Sequence, residues 1–242
     1  MTGWRVAGGG GPVIPNFGHP SACLEHNGWF CTDWLTKHWG DTLQPALIQH
    51  IQLTLIAVGI GFGISFLLAL VGFRWRLFDG PIGGFTDFLY AIPSLALFQL
   101  LVPLTGVTVT TVEIALTSYT LFILYRTMVA GLRAVPEEVL ESARGMGLTR
   151  IQTFIRVELP LATPAILAGL RIATVATISI ATVAAFLIQD GLGVPIFDAI
   201  ETPDLFKTKL LAASGLAILL ALVADALLAF VQRALTPWSR LR

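Results

Sequence analysis

Apolar residues in this chain run in long unbroken stretches, and charged residues punctuate the stretches instead of alternating with them. A helix that crosses a bilayer needs about 20 predominantly apolar residues, because no water is available to satisfy its backbone groups. The 32 residues between Asp41 and Arg74 carry no formal charge, and 48–71 fits a first span. A further 25 uncharged residues lie between Asp87 and Glu113, which predicts a second span near 82–104. The third, near 112–132, contains Arg126; the fourth, 160–187, opens at Pro160 and contains Arg171; the fifth, about 210–231, contains Asp225. The pattern therefore predicts an all-α polytopic membrane protein with about five transmembrane helices.

Composition agrees with lipid exposure. Hydrophobic side chains make up 55% of the 242 residues and charged ones only 12%, against about 25% charged in soluble domains. Fifteen Lys and Arg balance fifteen Asp and Glu, so no basic field for nucleic acid is present. Two Cys and four His exclude a disulfide-dense scaffold and argue against a metal centre. Cytoplasmic loops are enriched in Lys and Arg. With the amino terminus outside, the inner segments hold nine of them (Arg74, Arg76, Arg133, Arg144, Arg150, Arg156, Arg233, Arg240 and Arg242) and the outer segments four (Arg5, Lys37, Lys207 and Lys209). The carboxyl terminus is then expected to be cytoplasmic.

Residues 1–47 read as an extracytoplasmic amino-terminal arm, 48–232 as the membrane domain and 233–242 as a cytoplasmic tail. Residues 1–11 lack the apolar core of a secretory signal, so no cleaved presequence is expected. Trp29, Phe30, Trp34 and Trp39 precede the first span, and aromatic rings favour the membrane–water boundary, which predicts a short interfacial helix around 32–39. Cys23 and Cys31 would lie outside, either joined in a disulfide or free in a loose arm.

The segment 135–160, VPEEVLESARGMGLTRIQTFIRVELP, lies on the inner side between the third and fourth spans. Pro136 suits a first helical turn, and Glu137, Glu138 and Glu141 favour the positive end of that helix. Gly145 and Gly147 break the run, and Thr149 can cap a second helix. A helix–turn–helix of this kind offers a docking surface. It supplies neither a nucleophile with a base nor a metal cluster, so no catalytic residue is expected.

These residues carry a resemblance. Glu141-Ser142-Ala143, three residues, Gly147, nine residues, then Val157-Glu158-Leu159-Pro160 is similar to the cytoplasmic signature of ABC importer permease subunits, Glu-Ala-Ala, three residues, Gly, nine residues, Ile-x-Leu-Pro. Ser142 and Val157 are the two departures. The resemblance implies that 133–160, with Glu141, Ser142, Ala143, Gly145, Gly147, Val157, Leu159 and Pro160, is a coupling loop inserted into an ATPase subunit. Small residues at Ala143 and Gly147 would let that partner's backbone approach. Ala91–Leu97 (AIPSLAL), the Ala-Arg-Gly-Met-Gly ending at Gly147 and Gly191-Leu192-Gly193 resemble permeases of osmoprotectant importers for glycine betaine, carnitine or choline; Gln189 and Asp190 depart from the small residues usual before that last run. The resemblance covers roughly 48–232.

It implies further partners: a separate ABC ATPase using ATP and Mg, since no P-loop is present here; a second permease copy or paralogue; an extracytoplasmic substrate-binding protein; and a bacterial-type inner membrane. The chain itself is expected to be no enzyme and to hold no cofactor. The alternatives are a permease for an amino acid such as methionine and, in another class, an ion-coupled secondary transporter or channel; the loop spacing and the lack of an obvious internal repeat stand against the latter.

Pro93 removes a backbone hydrogen bond inside the second span, which either exposes polar backbone on a pathway or makes a packing kink. Ser94, Tyr119 and Tyr125 are candidate pathway residues, and Gln99, Thr117, Ser118 and Thr120 either line the route or join helices. Tyr90, Phe98, Tyr119, Phe122 and Tyr125 could cage a quaternary ammonium ion only if brought together, which their spacing does not establish. Arg126, Arg171 and Asp225 are ionisable groups that fall in the inner halves of their spans, which makes them functional candidates. Either one of them lies on the substrate route, or Asp225 pairs structurally with Arg171 or Arg126.

Overall fold

A computed structural model describes residue 23 and residues 27–237. Among the described residues the regular elements are all helical. They are α1 (Thr32–His38), α2 (Gln44–Arg74), α3 (Arg76–Ala91), α4 (Ser94–Thr105), α5 (Val109–Arg133), α6 (Glu137–Gly145), α7 (Arg150–Thr153), α8 (Leu159–Val183), α9 (Gly193–Glu201) and α10 (Lys207–Leu235). π-helical turns at Trp39–Leu43 and Phe154–Glu158 make α1 continuous with α2, and α7 continuous with α8. Among the described residues, four helical stretches are long and apolar enough to cross a membrane: Thr32–Arg74, Val109–Arg133, Arg150–Phe186 and Lys207–Leu235.

The expected second span is not a straight helix. α3 and α4 meet at Ile92–Pro93 with a bend of 100°, so the apolar stretch near 82–104 is a broken span or a re-entrant turn, and its first helix begins at Arg76. The residue before a proline is driven out of the helical region by the ring. Ile92 accordingly sits in extended backbone, φ −72° and ψ 127°, and Pro93 becomes the amino cap of α4.

α5 is the central element. Its Val112, Ala115, Leu116 and Tyr119 share one core with Leu53 and Ala57 of α2, Phe98 of α4 and Ala181 of α8. Farther along, Leu124, Tyr125 and Met128 share a second core with Ala69 of α2 and Ile166 of α8. Lipid tails are as apolar as leucine, so helices in a bilayer gain by close backbone approach at small residues instead of by water release. Gly61 of α2 receives Thr120, and Gly169 of α8 receives Thr127; a Cβ at either glycine would collide with the facing threonine. α10 contrasts with α5. Only Thr208, Ala213 and Ala217 are buried on its 29 residues, which leaves one long side for lipid or another subunit.

The described part of the amino-terminal arm, residue 23 and residues 27–47, is fastened to the opposite end of the bundle from the α6–α7 loop. Trp34 and Leu43 share a core with Cys23, Ala199, Phe206 and Ala213. The Asn27 side-chain amide donates to the Asp204 carbonyl (2.6 Å), and its oxygen accepts from the Lys207 N–H (3.2 Å). Cys23 and Cys31, open at the level of sequence, are joined in a disulfide. A disulfide closing a loop this short stabilises by about 2–3 kcal/mol in the chain-entropy picture. The denatured chain is therefore expected to take up no maleimide before reduction and two per molecule afterwards; labelling before reduction would show that the bond is not formed.

Candidate functional site

Three groups of residues carry chemistry. The first is the loop at the arm-distal end. α6 starts after Pro136 with Glu137 and Glu138 in its first turn, where the helix dipole favours acids. It ends in a reciprocal pair of backbone bonds: Leu148 N–H donates to the Ala143 carbonyl (3.2 Å) and Gly147 N–H to that of Arg144 (2.9 Å). This is the Schellman arrangement, and it places Gly147 in the left-handed region at φ +80°. Thr149 then caps α7 in a full capping box with Gln152. Val157 lies in the π turn, and Leu159 and Pro160 begin α8.

Glu141, Ser142, Gly145 and Gly147 are exposed. So are Met146 and Ile151, at 73% and 72%. Apolar side chains so uncovered at a membrane protein's aqueous end mark an interaction surface. Ala143 corrects the sequence expectation. It is only 1% exposed and its carbonyl accepts the Leu148 N–H that closes α6, so it supports the turn and leaves the outer contact to its neighbours.

The second group surrounds the helix break. The Ile92 carbonyl, freed at the break, accepts the Tyr119 hydroxyl. Tyr90 meets the Tyr119 ring edge-on at 5.9 Å and stacks on Phe122 at 4.3 Å. Three of the five aromatics therefore do converge. Phe98 is buried in the core beside them. Tyr125 is fully buried and donates to Asp79 Oδ1 (2.7 Å), a structural role away from the break. Ser94 opens α4 directly after Pro93. Ser118 and Thr120 bond within α5, and Thr117 reaches across to the Ala57 carbonyl at 3.5 Å.

The third group is ionic. Arg171 of α8 and Asp225 of α10 form a two-pronged pair, Nε–Oδ1 and Nη2–Oδ2 both at 2.8 Å. Gln232 extends it, accepting from Arg171 Nη1 (3.2 Å) and donating to the Pro164 carbonyl (3.0 Å). The pair lines a groove of about 980 Å³ between α8 and α10, together with Ser179, Thr182 and Ser214. Arg126 does not reach Asp225. It pairs with Asp87 of α3, its Nε donating to Oδ1 at 3.1 Å, and its guanidinium lies across Gly83. Asp79 pairs with Arg133 at 2.8 Å two helical turns before Asp87, so α3 is clamped to α5 at two levels.

Sequence reasoning missed Asp79, which precedes the predicted second span, and Asp87, which served only to bound its uncharged run. It also missed His50. The buried His50 ring joins α2 to the Ile178 carbonyl (3.0 Å) and accepts from Leu192 N–H (3.2 Å), while Gln49 accepts from Gly191 N–H (3.1 Å). The Gly191-Leu192-Gly193 run is thereby held against the first turns of α2. A lone histidine in an apolar span was the available signal.

Residues 46–237 match the family described as binding-protein-dependent transport system inner membrane component. The chain is 35% identical over 199 residues to the choline transport system permease protein OpuBB of Bacillus subtilis, covering 82% of this chain and 90% of that protein. It is 35% identical over 201 residues to the osmoprotectant import permease protein OsmW of Salmonella typhimurium, covering 81% and 92%. In fold it is similar to a chain of the MetNI methionine ABC transporter solved facing inward, with a TM-score of 0.72 at 18% identity, over 83% of this chain and 98% of that one.

Proposed function

The chain belongs to the binding-protein-dependent transport system inner membrane components, and from that premise we propose that it forms the translocation path of an ATP-driven importer for osmoprotectants such as glycine betaine, carnitine or choline. The observation that carries the cargo assignment is near full-length similarity to permeases whose names specify choline and osmoprotectants. The likeness to the methionine transporter is one of fold alone, so it does not favour that alternative.

In this reading ATP is hydrolysed, with Mg, on a separate ATPase subunit that docks on the exposed face around Met146, Gly147 and Ile151. A second permease copy or paralogue completes the path. An extracytoplasmic binding protein makes the first selection, as the description of the family implies. The Cys23–Cys31 disulfide supports an oxidising side for the arm. The excess of arginine at the other end supports a cytoplasmic loop and carboxyl terminus.

A quaternary ammonium ion has no N–H to donate, so aromatic faces and polar oxygens must hold it. Tyr90, Tyr119 and Phe122 beside the freed backbone of Ile92 and Pro93 are the residues assigned to its passage. The test is competition in the reconstituted system. Uptake of labelled glycine betaine should fall with excess unlabelled carnitine or choline and stay unchanged with methionine; the reverse pattern would discard the osmolyte assignment.

A further inference from the structure

A second cavity, of about 1030 Å³, opens at the loop end of the bundle between the last turn of α2 and the α6–α8 segment. Its lining has two chemical characters. Leu70, Phe73 and Phe154 give it an apolar wall, while Arg74, Arg144 and Arg150 bring three guanidinium groups, with Glu158 as the acid among them. Arg144 is engaged with Glu137 at 3.1 Å. Arg74 and Arg150 make no ion pair among the described residues, and with Arg144 held by Glu137 the lining keeps a net positive charge even against Glu158. Thr153 lines the same space; it is 6% exposed and its hydroxyl has no hydrogen-bond partner.

Depth adds a separate indication. Arg74 is the last residue of the 31-residue membrane helix α2, and Trp75 follows it, 54% exposed and also lining the cavity. Tryptophan and arginine at a span's end belong at headgroup level. Guanidinium groups match phosphate oxygens in a two-pronged geometry, and basic pockets between membrane helices suit anionic headgroups.

We propose that this cavity is a binding site for an anionic phospholipid. The phosphate lies between Arg74 and Arg150 within reach of the Thr153 hydroxyl, and an acyl chain runs along Leu70 and Phe73. The apolar wall selects a lipid over free phosphate. The site does not depend on which solute is carried.

The test uses the full chain in phosphatidylcholine nanodiscs containing a minor fraction of phosphatidylglycerol bearing a photoreactive headgroup. Crosslinks should map to 70–75 and 148–154 in the unaltered chain, and millimolar inorganic phosphate should not suppress them. Crosslinks spread evenly around the bundle, or abolished by inorganic phosphate, would overturn the proposal. In lipid co-purification, Arg74→Gln with Arg150→Gln should lower the preference for phosphatidylglycerol over phosphatidylcholine at least about tenfold, as expected when two juxtamembrane cations are lost. Arg76→Gln with Arg156→Gln, which removes equal charge outside the cavity, should leave it unchanged. Equal loss in both pairs would reduce the effect to general surface charge and refute the site. Retained lipid preference with loss of the co-purifying ATPase would assign the cavity to a protein partner instead.

Discussion

Gly147→Asp is expected to abolish uptake while leaving insertion and helical content intact. Gly147 occupies the left-handed region at φ +80°, the conformation required by the turn that closes α6. Asp enters that region at a cost of roughly 1 kcal/mol, less than most residues, because its short polar side chain bonds locally. A Cβ at this position meets nothing within 4 Å, so the new side chain points into open space and leaves the loop's own packing undisturbed. In the proposed assembly that open space is where the ATPase sits. A carboxylate enclosed there without a partner costs about 2–5 kcal/mol, which corresponds to at least a tenfold loss of coupling. Gly147→Ala separates the two effects, since it carries the backbone strain without the charge and should retain substantial uptake. Normal uptake by Gly147→Asp in a membrane-inserted complex would refute the docking role of the loop.

The second large effect is expected at the α8–α10 pair. Arg171 and Asp225 meet at 2.8 Å through two bonds, and Gln232 ties the guanidinium to the α8 backbone. An unpaired charge within a membrane span is costly. Asp225→Arg leaves two such charges facing each other, so the complex should be lost from detergent extracts or unfold at markedly lower temperature. Arg171→Asp in the same chain exchanges the charges and should restore much of the stability. Arg126→Asp should not, because Arg126 is already engaged with Asp87 on α3. Restoration by the Arg126 exchange, or by neither, would contradict the pairing.

What was legible in the sequence follows from which constraints act locally. Long spans were legible because the bilayer imposes a length of apolar residues on each of them. The 100° bend between α3 and α4 was not, since hydropathy registers how apolar a stretch is and not its direction; Pro93 signalled a bend without its size. The turn at Gly147 was readable because glycine, capping threonine and flanking acids each act within a few residues. Ala143 was misplaced for the opposite reason. A small residue suits a tight contact with a partner as well as one within its own loop, and only tertiary packing distinguishes them. Ion-pair partners are likewise tertiary: Arg126 and Arg171 look alike in sequence, yet one meets Asp87 and the other Asp225. The same holds for Tyr90, Tyr119 and Phe122, separated along the chain and joined by the packing of α3 on α5.

In the proposed function the chain passes osmoprotectants when a separate ATPase hydrolyses ATP. The most direct measurement is labelled glycine betaine uptake into vesicles holding this chain, its ATPase and its binding protein, with and without internal ATP. Accumulation should require ATP, persist when ion gradients are collapsed, and be suppressed by carnitine or choline. Uptake that follows an imposed ion gradient and ignores ATP would contradict the proposed function.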